Sequence, residues 1–167
     1  MTLTAHAVVG ATMVQILPGA PVLAVTLALS SHFILDAIPH WDYPLRSASK
    51  TKGAVVGVAF NYDFTFLRDL FFVSLDILLG LLLVWLLYRP AIDQWPLLLA
   101  GVVAAILPDF LQFAYGRYGG YFLTKIQWWH NFCHSQISLN SKPFWGVSSQ
   151  AIIVTLIVVL LNWLFLL

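Results

Sequence analysis

Five apolar runs, separated by prolines, glycines and short polar stretches, make up most of this chain. The first covers residues 3–17 and closes at Leu17-Pro18-Gly19. Pro21 opens the second run at its first turn, and that run extends to Ile38. A full-length span follows over residues 66–88, closed by Arg89-Pro90. Residues 95–115 form the next span, with a break expected at Leu107-Pro108-Asp109, and residues 146–167 form the last. Residues 43–64 carry Arg46, Lys50 and Lys52 and read as an exposed loop. A Gly- and Tyr-rich link at 115–121 leads to a helix over 126–137, whose Trp128 and Trp129 suit the membrane–water boundary. The pattern predicts an all-α, polytopic membrane protein forming a single domain over 1–167. It has about five transmembrane helices plus one interfacial helix. The first run is short, since at 1.5 Å per residue it reaches about 22 Å against a hydrocarbon core of roughly 30 Å. It therefore begins in the interface, sits in thinned lipid, or forms a re-entrant hairpin with its neighbour.

Composition sharpens the class. Hydrophobic residues make up 60% of the chain and charged residues 9%, against roughly 25% charged in a soluble domain. A net charge of +1 offers no basic stripe for nucleic acid. One cysteine, Cys133, permits neither an internal disulfide nor a cysteine-based zinc knuckle. Every acidic residue is an aspartate, which removes the HExxH metalloprotease and any mechanism built on a catalytic glutamate. Met1 to Ala5 lack a basic residue and His6 interrupts the apolar run, so no cleavable signal peptide is expected.

The polar residues that remain are concentrated. His32 and Asp36 are four apart and share a helix face, and Pro39 throws His40 and Asp42 into the turn beyond. Such a pair can hold a divalent metal or relay a proton; it can also be a helix end that meets the headgroups. His130 and His134 form an HxxxH pair able to share one metal. Asp109 follows Pro108, which frees a carbonyl near an electronegative helix end. Asp76 lies near mid-bilayer in its span, where an ionisable group points to function unless it is neutralised; Asp69 is seven residues earlier on the same face. If the spans cross in turn, every histidine and every aspartate except Asp93 falls in one half of the membrane. The same half carries Arg46, Lys50, Lys52, Arg68, Arg117, Lys125 and Lys142, with only Arg89 opposite, so it is expected to be cytoplasmic.

Taken together, AHAVVGA at the N-terminus, a span ending in LPD, an HxxxHS box and an SHxxLD motif resemble the YdjM-type metal-dependent hydrolases of the bacterial inner membrane. The resemblance implies a metal site made by His6, His32, Asp36, Asp109, His130 and His134. Asn131-Phe132-Cys133 stands where that family commonly has an arginine-bearing box, so a side chain able to hold a phosphate is missing. SHxxLD also precedes LPD here instead of following the HxxxHS box.

The expected function is hydrolysis of a lipid phosphoester or ester at the cytoplasmic leaflet, with membrane lipid as partner. One or two divalent ions, zinc by preference for His-rich ligation, would lower the pKa of bound water. Asp76 or His40 would serve as general base, and Ser135 as a hydrogen-bonding neighbour. The alternatives are a proton or metal-ion transporter and a non-catalytic membrane scaffold with a structural metal. A transporter predicts polar residues continuing to the far side, where little beyond Asn162 is found.

Overall fold

The computed structural model describes residues 1–50 and 57–166. Among them are six helices: α1 (Leu3–Ile16), α2 (Pro21–Asp36), α3 (Phe64–Tyr88), α4 (Trp95–Tyr118), α5 (Tyr121–Cys133) and α6 (Pro143–Leu166). Where a loop was expected, β1 (Ala48–Lys50) and β2 (Val58–Phe60) pair antiparallel, with Ser49 opposite Ala59. Lys52, one of the expected cytoplasmic cations, and Leu167 lie outside the described residues.

Three helices, α3, α4 and α6, are long and apolar enough to cross a membrane, against the five expected. The 14 residues of α1 and 16 of α2 reach only about 21 and 24 Å at 1.5 Å per residue. Burial in protein explains how they can be short. Helix α1 packs against α2, α3, α4 and α6, and only its Thr4, Met13 and Gln15 escape full burial. A helix that is apolar all round belongs in an interior rather than at a lipid face. By contrast α3 buries only Asp69, Gly80 and Val84, and turns its leucines and phenylalanines outward.

Small residues let α1 approach its neighbours this closely. A Cβ on Gly10 would stand 2.5 Å from Ala105 Cβ and 2.6 Å from the Gly101 carbonyl oxygen, so α1 and α4 touch backbone to backbone. Gly80 makes similar room on α3, where an added Cβ would lie 2.9 Å from Ala7 Cβ. The apolar core beneath the site follows from this seam and comprises Ala7, Val8, Ala11, Val14, Ala24, Val84, Leu98, Val102 and Val158.

The start of α1 lies beside Asp76, well inside the apolar length of α3, where no bulk water can satisfy its free N–H groups. Asp76 does so instead: Leu3 N donates to its Oδ2 at 2.6 Å and Thr4 Oγ1 to its Oδ1 at 2.6 Å. The break expected at Leu107-Pro108-Asp109 does not occur, because α4 runs through Pro108 to Tyr118. Proline is tolerated within a spanning helix when neighbouring groups take up the backbone positions it disturbs. Beyond α5, residues 135–139 lie alongside 36–40, tied by Ser135 N to the Asp36 carbonyl at 2.7 Å and Leu139 N to the His40 carbonyl at 2.9 Å.

Candidate metal centre

Asp36, the last residue of α2, stands at the centre of the polar cluster and is 1% exposed. Its Oδ2 lies 3.2 Å from His32 Nε2 and 3.6 Å from His130 Nε2. Asp109 closes this group, its Oδ1 being 3.9 Å from His32 Nε2 and 3.7 Å from His130 Nε2. Donor atoms around a tetrahedral ion with bonds of about 2.0–2.2 Å stand roughly 3.3–3.6 Å apart. The observed separations, from 3.2 to 3.9 Å, surround that spacing.

The two facing rings of this group can share a metal in place of a proton. The Ala105 carbonyl can only accept, so His32 donates its Nδ1–H to it at 2.8 Å; a neutral ring then presents a lone pair at Nε2. That lone pair faces His130 Nε2 at 3.2 Å. If His130 carries its proton on Nδ1, two lone pairs meet. With the proton on Nε2, its buried Nδ1 has no partner among the described residues. Burial opposes protonation of His130, but the Asp109 and Asp36 carboxylates outweigh it and push the pKa up to about 9. Even the doubly protonated ring leaves Nδ1–H unpaired. A metal ion between the two Nε2 atoms removes the clash of lone pairs and leaves the His130 Nδ1–H without a partner among the described residues.

A second group lies on the other side of Asp36 and consists of Asp36, His40 and His134. His40 and His134 also pin Nδ1 to backbone carbonyls, at Ile38 (2.7 Å) and Ser135 (3.1 Å). Asp42, half-exposed, stands 3.1 Å from His40 Nε2. Burial opposes protonation of His40, but Asp42 outweighs it and raises the pKa; burial pushes the Asp42 carboxyl up, but His40 and the Met1 ammonium outweigh it and hold it below its ordinary value. The ammonium is 3.0 Å from Asp36 Oδ1 and 2.9 Å from Asp42 Oδ1.

No protein-family model matches this chain, and neither a curated protein nor a solved structure matches it. The geometry therefore carries the functional conclusion. Buried His/Asp groups that could hold a metal ion, set among apolar helices, fit a membrane metalloprotein.

Of the residues expected at the site, His32, Asp36, Asp109 and His130 meet in one group. His134 does not join them: α5 ends at Cys133, and His134 leaves in an extended conformation to stack edge-on against His40, 4.7 Å between centroids. The HxxxH pair thus straddles the two groups. His6 is fully buried, stacked on His32 at 4.2 Å, with Nε2 3.2 Å from Asp36 Oδ1. His40, expected as a base, sits among potential ligands. Ser135 Oγ makes a local turn with Ile137, and Ser135 borders a polar vestibule of about 600 Å³ above the cluster. Asp69 holds Ser47 through its backbone N–H and hydroxyl, both 2.8 Å, and Arg68 at 3.2 Å.

Asp76 joins neither group and instead caps α1. Asp76→Asn removes the charge from bonds to charged acceptors worth about 1.5–3 kcal/mol each. Thermal unfolding in detergent should therefore move down by several degrees while metal content stays at the parent level. Unchanged stability with lost activity would return Asp76 to a chemical role. Sequence reading placed Asp42 beside His40 in the turn but outside the set of site residues, and it missed the Ala105 carbonyl that orients His32. The only local signal for the latter is the nearby proline.

Proposed function

We propose that this chain is a membrane-embedded, metal-dependent hydrolase that cleaves a lipid phosphoester or ester at the cytoplasmic leaflet of a bacterial inner membrane. The observation that carries the reading is the pair of Nε2 atoms on His32 and His130, 3.2 Å apart with His32 locked by a carbonyl. Zinc suits the imidazole-rich donor set. Bound there, a divalent ion supplies a water of lowered pKa and polarises the scissile group. The YdjM-type likeness supports the same chemistry through its short motifs alone.

A lipid substrate is favoured by two cavities that adjoin at consecutive residues. Met1 borders the polar vestibule, whereas Thr2 borders an apolar cleft of about 480 Å³ between α3 and α6. Leu79, Leu83 and Leu87 line one wall and Val154 and Val158 the other, a surface for an acyl chain; Asp76 and Gln150 mark its polar end. Seven side-chain cations on one side against one on the other support a site that faces the cytoplasm. Transport is disfavoured because the apolar core around Ala11, Val14 and Val102 lies below the cluster. Purified protein in vesicles of phosphatidic acid and phosphatidylglycerol should release phosphate or headgroup, stop with chelator, and resume with added zinc. His32→Ala should show less than about a hundredth of that rate, the scale on which a lost metal function is felt. A metal-loaded protein that hydrolyses neither lipid would leave the scaffold reading in its place.

A further inference from the structure

We infer that the centre holds two divalent ions at once, with Asp36 bridging them through its two carboxylate oxygens. This rests on the metal reading above and goes further, assigning a second ion to His40, His134 and the outer oxygen of Asp36. Among the described residues the donor atoms fall into two groups rather than one, and Asp36 is the residue common to both. Its Oδ2 faces His32 and His130, while its Oδ1 faces His6 at 3.2 Å and His40 at 3.9 Å. A carboxylate whose oxygens face separate sets of imidazoles has the form of a bridge, and bridged pairs of ions stand about 3.5–4 Å apart.

The second group is prepared in the same way as the first. The Ile38 and Ser135 carbonyls can only accept, so each fixes the proton of its histidine on Nδ1 and leaves a lone pair at Nε2. His40 Nε2 is buried and has no hydrogen-bond partner among the described residues. Placing a lone pair there, 3.1 Å from Asp42 Oδ1, is repulsive unless a proton or a metal lies between. An ion in the second group would displace the Met1 ammonium, which stands 3.0 Å from Asp36 Oδ1 and 2.9 Å from Asp42 Oδ1. The position also matters for the chemistry, since His134, Asp42 and Ser135 border the vestibule through which a headgroup would enter.

The test is stoichiometry and magnetic coupling on the full chain in detergent, stripped of metal and reloaded with manganese alone or zinc alone. Two ions per chain by elemental analysis, with a spin-coupled manganese pair in the electron paramagnetic resonance spectrum, are expected. His134→Ala and His40→Ala should each leave one ion and an uncoupled signal. One ion in the parent, with His134→Ala unchanged, overturns the second site and leaves the hydrolase reading standing. Two uncoupled ions overturn the bridge. No bound ion in the parent overturns the metal reading itself. The parent measurement needs no variant, so a misfolded substitution cannot obscure the result.

Discussion

Asp36→Asn should strip the purified protein of metal, to about a tenth or less of the parent content at matched metal concentration. The substitution keeps the volume and one acceptor oxygen but removes the negative charge and replaces the other oxygen with a donor. Asp36 offers an oxygen to each group, so both lose a ligand in one step. Outer-shell changes at metal sites weaken binding by about 10–100-fold, and loss of a direct, charged ligand should exceed that. The effect should be larger than that of His134→Ala, which touches one group. Elemental analysis of parent and variant, purified without chelator, measures it. An Asp36→Asn protein carrying the parent's metal would remove Asp36 from the coordination shell.

Gly10→Leu should prevent α1 from seating and destabilise the protein by at least about 3 kcal/mol, towards the upper end for an overpacked core. No rotamer relieves the clash, because even the first carbon meets the Gly101 carbonyl oxygen at 2.6 Å and Ala105 Cβ at 2.5 Å. Moving α4 away would also take Ala105 from His32 and Asp109 from the cluster, so stability and metal binding should fall together. Gly19→Ala is the control: nothing lies within 4 Å of the added carbon, and the change should stay within about 0.5 kcal/mol. Thermal unfolding in detergent and metal content, measured on both variants, separate the two. A stable, metal-replete Gly10→Leu protein would contradict the seam between α1 and α4.

Some of this architecture was readable because it is local. The spacing of His32 and Asp36 places both on one face of α2, and their atoms do meet at 3.2 Å. The apolar lengths of α3, α4 and α6 identify helices able to cross a membrane. HxxxH misled because the spacing assumes that the helix continues, whereas α5 stops at Cys133. Pro108 misled in the opposite sense: a proline that ends many helices is carried within α4. Asp76 looked chemical because a charge deep in a span is costly, yet its cost is offset by the free N–H and hydroxyl at the start of α1.

Hydrophobic period and residue type were determined along the chain itself, because each depends on composition and on neighbours a turn away. Which histidines and aspartates share an ion depended on contacts between α1, α2, α4 and α5, residues as far apart as His32 and His130. Those contacts are set by how closely Gly10 and Gly101 let the helices pack and by where helix ends release their side chains, and neither property is encoded in spacing along one strand of sequence.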